Sequence, residues 1–193
     1  MNDLLNQEVD VYNQEFEKIE LEDQEINNKS MGNITFKNTT LRNMRFENVV
    51  FNNVTFLNSD LSNTTFTNCG LHNCHFDYCK MIGTSFNDCT IKQTEYKSIV
   101  GKYLGFSYSK MTEVTIKECN LLEARFIELA FNYFTLEETN LNKTEWNNVS
   151  LYGIDISTCT IEEILIEPKY LRGATLSYEQ IIHLIPLLGI KIK

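Results

Sequence analysis

The residues best suited to chemistry in this sequence form one cluster of sulfur and imidazole side chains. Cys69, His72, Cys74, His75 and Cys79 lie within eleven residues of one another. Such a cluster is typical of a zinc site, and the six cysteines of the whole chain would also suffice for a disulfide framework. Both interpretations require the side chains to converge, so they depend on the structural elements that carry them.

A strict five-residue period predicts those elements. From Phe16 to Leu176 every fifth residue is Phe, Leu, Ile, Met, Tyr or Trp, with the single exception of Gly101. Helices need apolar spacings of three and four and flat strands need two, so a period of five fits neither. If a turn follows each short extended unit, four units complete a coil, and residues one coil apart stack at roughly 4.8 Å. The sequence therefore predicts a filled, four-sided, all-β solenoid.

A second position of each unit bears on the cysteines. The residue two places before each apolar centre, here called the small inward slot, is mostly Thr, Ser, Val, Cys or Ala, as a filled interior requires. All six cysteines fall in this slot, whereas His72 and His75 fall in outward slots. Because the sulfurs and imidazoles then point apart, we expect buried, reduced cysteines, no metal site and no other cofactor.

Several five-residue segments also carry a known pattern. Residues 119–123 (CNLLE), 139–143 (TNLNK) and 59–63 (SDLSN) resemble the A(D/N)LXX unit of pentapeptide repeat proteins. This resemblance implies a right-handed quadrilateral β-helix, here of about eight coils, with a C-terminal capping or dimerisation helix. The predicted organisation is an N-terminal acidic cap at 1–15, the pentapeptide repeat β-helix at 16–176, and a C-terminal helix and tail at 177–193.

The residue two places after each apolar centre, here called the corner slot, changes along the chain. It is Asn at ten successive units from Asn28 to Asn73, and it is often Glu between Glu113 and Glu138. Because Asn tolerates positive φ, the early corners are predicted to be type II turns and the later corners to use another turn. The Asn-x-Ser/Thr sequences of the chain arise from this repeat, because a corner Asn is followed two residues later by an outward Ser or Thr. They therefore do not indicate glycosylation.

Gly101 interrupts the row of apolar centres. A glycine within a strand often marks a bulge or a close backbone approach, so an irregularity is expected near residues 97–105. Ile99, Val100 and Leu104 offer one way to refill the space, and a kink or partner site is the alternative.

Enzyme activity is not expected. A filled solenoid without inserted loops has no obvious pocket for convergent catalytic groups. His183 has no candidate nucleophile nearby in the sequence, and the chain has no phosphate-binding Gly-rich loop. We therefore assign no catalytic residue. The N-terminal segment is acidic and has no hydrophobic signal, so a cytoplasmic protein is expected.

The charge distribution leaves two functions open. The net charge is −9, with −8 on residues 1–25, +2 on residues 26–80 and −3 on residues 81–193. Resemblance to the Qnr and MfpA type of pentapeptide repeat protein implies a DNA mimic that binds the bacterial type II topoisomerases, DNA gyrase or topoisomerase IV, and protects them from quinolones. The near-neutral shaft favours the alternative, a structural scaffold for another protein partner. Neither direct nucleic-acid binding nor membrane association is expected.

Six outward residues of the shaft are candidates for a partner surface because they are apolar, aromatic or form an acidic stack. These residues are Tyr103, Tyr108, Glu118, Leu122, Ile127 and Glu138.

The C-terminal segment predicts a helix and an interface. Ser177 and Gln180 have the spacing of a capping box, and Leu176 and Ile181 have that of a hydrophobic staple. Pro186 should shorten the helix before Gly189 closes it. Residues 171–193 also resemble the C-terminal end of Qnr and MfpA-like proteins, which implies a two-fold homodimer, although a capping helix on a monomer is the alternative. The predicted dimer interface comprises Ile181, Ile182, Leu184, Ile185, Leu187 and Leu188.

Overall fold

The predicted solenoid is present. In the computed structural model, residues 10–189 are described, and they form a parallel β-solenoid of about eight coils that ends in one short helix. Residues 20 apart pair in parallel, as Phe36 does with Phe56, on all faces up to β16. Each coil therefore comprises four five-residue faces, as the period predicts.

The strands form three groups. The first sheet wraps around one corner and covers two adjacent faces, with β1 Val11–Glu17, β4 Ser30–Lys37, β7 Val50–Leu57, β9 Gly70–His72, β10 His75–Asp77, β12 Thr90–Lys97, β14 Lys110–Lys117 and β16 Ala130–Glu137. The second sheet lies on a third face, with β3 Glu25–Asn27, β6 Arg45–Glu47, β8 Thr65–Thr67, β11 Ser85–Asn87, β13 Gly105–Ser107, β15 Arg125–Ile127, β17 Glu145–Asn147 and β18 Leu165–Ile166. On the remaining face, β2 Glu20–Glu22 pairs with β5 Thr40–Arg42, and single bridges continue the ladder.

The interior is filled by two aromatic ladders on opposite faces. On one face the ring centroids of Phe56 and Phe76 are 4.8 Å apart, and on the other those of Phe66 and Phe86 are 4.6 Å apart. The ladders also touch edge to face, with Phe76 and Phe86 at 6.1 Å and 84°. Stacked and edge-on ring pairs add to the free energy gained from apolar burial. The predicted ladders are confirmed.

The corners share a positive φ. From Asn13 to Asn148, every residue in the corner slot has a φ between +48° and +68°. The positive φ predicted for the Asn corners is confirmed, but the expectation of a different turn at the later corners is wrong, because Glu113 and Glu138 have φ of +55° and +48°. Coil closure imposes this conformation on Glu, although Glu tolerates it less well than Asn.

Gly101 causes no local irregularity. Its coil has the same single-bridge pattern as its neighbours, and Gly101 N donates to Asn120 O at 2.8 Å. A Cβ at Gly101 would lie 2.9 Å from Leu121 Cδ2 and 3.3 Å from Leu104 Cβ. Leu104, with buried Ile99, thus refills the space, whereas Val100 is 48% exposed and does not. The irregularity expected near residues 97–105 is therefore absent, and the space is refilled without a kink.

The pairing changes after β16. This strand is the last of its sheet, and no backbone hydrogen bond joins it to residues 150–157 in the described chain. Those residues keep the five-residue phase, because Leu151 and Ile156 are fully buried. They keep the usual bond to the following segment, with Leu151 N donating to Tyr170 O at 2.9 Å.

Both ends differ in detail from the predicted boundaries. β1 begins at Val11, within the segment assigned to the acidic cap, and residues 1–9 lie outside the described chain. At the other end, helix α1 Tyr178–Leu184 is followed by a 3₁₀ turn, Ile185–Leu188, and Gly189 ends it with a φ of +70°. The predicted shortening at Pro186 is confirmed, and residues 190–193 lie outside the described chain.

Candidate interaction surfaces

The cysteine and histidine cluster is divided between the core and the surface. The six cysteines are free and buried, while His72 and His75 are half-buried on the outer side. Cys79 Sγ donates to Phe56 O at 3.2 Å, and burial raises the pKa of Cys74 and Cys79 to about 12. Among residues 10–189, no three His, Cys, Asp or Glu side chains are grouped to hold a metal ion. The thiols pack as small core side chains, as their phase predicts.

Charged side chains on the shaft pair with residues one coil away. Lys80 Nζ lies 3.3 Å from Asp60 Oδ2, and Lys143 Nζ lies 3.5 Å from Glu163 Oε1. Such exposed pairs contribute little to stability. They do, however, cancel the charge locally, so these pairs leave no continuous acidic stripe.

The first described coil is different. Residues 10–25 carry seven acidic side chains and one basic side chain, Lys18, and all seven acids are exposed. Lys37 pairs with Glu17 at 3.4 Å and Arg42 pairs with Glu22. The remaining acids give the N-terminal end of the shaft a strong negative charge.

The six candidate partner residues do not form one surface. They separate into three pairs on three corners, each joining two successive coils, which are Tyr103 with Leu122, Tyr108 with Ile127, and Glu118 with Glu138. Tyr103 N donates to Leu122 O at 3.2 Å, and Tyr108 N donates to Ile127 O at 2.9 Å. The two tyrosine corners border the same face, and the glutamate stack lies on another corner.

Helix α1 is attached to the last coil by its inner side. The predicted capping box is present, with Gln180 N donating to Ser177 Oγ and Ser177 N donating to Gln180 Oε1 at 2.7 Å. Gln180 Nε2 also donates to Ile156 O and to Cys159 O, both at 2.7 Å. Gln180 is 5% exposed, so it satisfies carbonyls at the edge of the last coil without access to water.

The predicted interface residues fall into different positions on this helix. Ile181 and Ile182 are 49% and 56% exposed, whereas Leu184 is 8% exposed and belongs to the core. Ile185 and Leu187 are half-buried, and the side chain of Leu188 lies outside the described residues. Leu184 is therefore corrected to a core residue, because the helix needs an apolar anchor beside Gln180.

A groove of about 700 Å³ lies between helix α1 and the shaft. Its lining includes Tyr103 at one end and the exposed side chains of Leu165 and Ile182 at the other. Arg125 pairs with Glu145 at 3.5 Å along its wall. A mixed apolar and paired-charge lining suits contact with a protein surface better than selection of one small molecule.

Sequence reasoning missed two features. The double hydrogen bond of Gln180 has no sequence signal beyond the capping box itself. The unpaired edge of β16 does have a sequence signal. Phe134 is the only aromatic residue in the small inward slot, and Leu129 fills the same slot of the preceding unit. Among residues 10–189, no helix has the length and apolar content needed to cross a membrane.

Comparison with solved structures gives distant matches. A trypsin-treated variant of QnrB1, a plasmid-mediated fluoroquinolone resistance protein, is 18% identical, with 92% of this chain and 99% of that chain covered and a TM-score of 0.41. HetL, a pentapeptide repeat protein involved in heterocyst differentiation regulation from Nostoc sp. strain PCC 7120, is 12% identical, with 90% and 92% covered and a TM-score of 0.31. A pentapeptide repeat protein from Cyanothece 51142 is 12% identical, with 76% and 98% covered and a TM-score of 0.32. Likeness at this distance does not extend to function.

Comparison with protein families detects part of the repeat. A search of curated proteins gives no match. A family profile described as pentapeptide repeat region matches residues 49–126. Residues 49–126 are thus similar to the pentapeptide repeat family, and the coils on either side continue the same five-residue register.

Proposed function

We propose that this chain is a non-catalytic, cytoplasmic protein-interaction protein that forms a homodimer through the outer side of helix α1. The observation that carries the proposal is the exposure of Ile181 and Ile182 on a helix whose other side is already anchored by Gln180 and Leu184. Two adjacent isoleucines in water cost free energy that a second copy of the same surface recovers.

Light scattering after size-exclusion chromatography tests the dimer. At micromolar concentration we expect about twice the 22.5 kDa chain mass, and the Ile181→Asp, Ile182→Asp double variant should return to the monomer mass because it places four carboxylates in one interface. Val100→Asp is the matched control, since Val100 is 48% exposed on the shaft. A monomeric wild type, or a double variant that stays dimeric, contradicts the proposal. Leu184 is unsuitable for this test because it is a core residue.

Bacterial type II topoisomerase is the candidate partner that the acidic first coil favours. An end-to-end dimer through the C-terminal helices would place the two acidic N-terminal coils at opposite tips of one rod. Negative charge at both tips suits a binding channel that is built for DNA. Because the charges along the shaft are paired, the net negative charge that attracts a DNA-binding channel lies at the two tips. A DNA mimic of this kind would therefore be recognised mainly by its ends.

A DNA gyrase supercoiling assay with and without ciprofloxacin tests this partner. Inhibition of supercoiling, or its recovery in the presence of the drug, is the expected result. A triple charge reversal, Glu15→Lys with Glu20→Lys and Glu25→Lys, should weaken either effect, whereas reversal of Glu113 on the shaft should not. If wild-type protein neither inhibits nor protects, the alternative function remains, a scaffold for another protein that binds through the Tyr103 and Tyr108 corners.

A further inference from the structure

Four aromatic side chains line one opening on the outside of the shaft. The opening has a volume of about 480 Å³, and its aromatic residues are Phe131, Tyr133, Phe134 and Tyr152. Tyr133 and Tyr152 are 77% and 76% exposed, so their rings form the outer walls, while Phe134 is 8% exposed and lies at the inner end. We call this opening the tyrosine cleft.

Packing within the fold holds most of these rings in place. Phe131 stacks on Phe134, with ring centroids 4.2 Å apart and ring planes 6° apart. Tyr152 lies against the following coil, since a Cβ at Gly173 would be 2.5 Å from Tyr152 Cδ2. Because these rings are already positioned, a ligand of the cleft would lose little free energy in ordering them.

The corner beyond Tyr133 leaves the cleft open. Gly153 occupies the same corner slot in the next coil, with a φ of +75°. Among residues 10–189, a Cβ at Gly153 would have no atom within 4 Å apart from its chain neighbours. Earlier in this corner column the side chains cover one another, as Asn73 Nδ2 donates to Asn53 Oδ1 at 3.1 Å. Gly153 provides no such cover, so the ring of Tyr133 is free to contact a ligand.

The lining is uncharged, and unpaired acids lie on the adjoining face. The other residues of the lining are Leu129, Ala130, Ser150, Gly153 and Ile154. Asp155 and Glu138 line a smaller opening around the corner, and neither forms an ion pair among residues 10–189. Arg172 lines the separate opening beside helix α1. An aromatic cleft bordered by carboxylates favours a cation over an anion or a neutral group.

We propose that the tyrosine cleft binds the guanidinium group of an arginine side chain on a partner protein. This planar cation stacks on the faces of Tyr and Phe rings, and it is more weakly hydrated than an ammonium group, so less hydration is lost on entry. The lining has no charged group to pair with the α-amino and α-carboxyl groups of a free amino acid. The cleft is separate from the dimer surface, from the acidic first coil and from the Tyr103 and Tyr108 corners.

An NMR titration of the full-length protein with capped amino acids tests the ligand class. N-acetyl-arginine methylamide should shift the ring signals of Tyr133 and Tyr152 saturably, with a dissociation constant in the millimolar range. The citrulline compound has nearly the same shape without the charge, so it should bind about fivefold more weakly. The leucine compound should also bind more weakly than the arginine compound.

Four results of this titration overturn the proposal. The first is the absence of saturable binding by the arginine compound. The second is equal binding of the citrulline compound, which would show that charge is not recognised. The third is equal or tighter binding of the leucine compound, which would make the cleft a site for an apolar side chain. The fourth is tighter binding of free arginine than of the capped compound, which would indicate a small-molecule site.

Substitution of the outer walls separates ring contact from apolar contact. Tyr152→Leu keeps an apolar side chain and removes the ring, so the affinity for the arginine compound should fall about fivefold, and Tyr133→Leu should act in the same direction. Tyr152→Phe should retain the affinity because it keeps the ring. Tyr78→Leu is the control, since Tyr78 is 60% exposed at another corner and does not line the cleft. If the two leucine variants of the cleft bind as the wild type does, the rings do not hold the cation and the proposal is wrong.

Discussion

The shaft before β16 and the coils after it contain the same five-residue phase but differ in how their backbones pair. In the shaft, Asn73 N bonds to Lys92 O and Tyr78 N bonds to Lys97 O, both at 3.0 Å. After β16 the apolar centres Leu151 and Ile156 remain fully buried, yet this ladder is absent. Inward side-chain phase and backbone pairing are therefore separable: the phase selects which residues are buried, and the backbone ladder can be absent where that burial is kept.

Two phenylalanine truncations measure the difference in packing. Phe86→Ala should lower the free energy of unfolding by about 3–5 kcal/mol, because its fully buried ring lies between Phe66 and Phe106 at 4.6 and 5.0 Å. Phe131→Ala should cost less than about 2 kcal/mol, because its ring is half-buried. Urea denaturation at one protein concentration compares them. Equal losses would show that packing is as tight after β16 as before it.

Removal of the Gln180 amide tests the end of the shaft. Gln180→Ala leaves the carbonyls of Ile156 and Cys159 without their donor, so we expect a loss of about 2 kcal/mol and faster amide exchange in helix α1. Tyr178→Ala is the control on the same helical turn, because Tyr178 is 81% exposed. If both variants exchange alike, Gln180 does not anchor the helix.

The buried thiols of the shaft should make its stability fall at high pH. Burial raises the pKa of Cys74 and Cys79 to about 12, so the unfolded chain loses these protons first. The contribution of each protonated thiol to the free energy of unfolding is fully present below about pH 8.5. It is lost as the pH rises toward 12, by up to about 1.4 kcal/mol per pH unit for each thiol.

A cysteine substitution separates the contribution of one thiol to the pH dependence from that of the other titrating groups. Cys74→Thr places at this position the residue that the next coil has at Thr94. Urea denaturation between pH 7 and 10, in reductant, should give a shallower decline for the variant than for the wild type. Parallel curves would mean that the Cys74 thiol does not titrate with folding.

Reciprocal substitutions at the corners should have the smallest effect. Asn68 and Glu128 stack in the same corner column and have φ of +53° and +49°. Because Asn tolerates this conformation better, Glu128→Asn should stabilise the protein by about 0.5 kcal/mol and Asn68→Glu should destabilise it similarly. Thermal melts provide the comparison. A gain from Asn68→Glu would show that side-chain charge outweighs backbone preference at these corners.

The sequence by itself determined the local features of this protein. The period of five predicts the solenoid, the opposing aromatic ladders and the buried cysteines, and Ser177 with Gln180 predicts the start of the helix. Each of these follows from the residues of one unit, since the direction of a side chain depends on its place in that unit.

Only the tertiary structure decided the features that depend on several coils at once. Glu113 adopts the conformation of an Asn corner because the coils above and below close in the same way. Leu184 is buried because Gln180 aligns the helix on the last coil. The edge of β16 lacks a paired strand although the five-residue phase continues past it. Such contacts join residues about 20 apart, so the outcome depends on packing that a one-unit pattern does not contain.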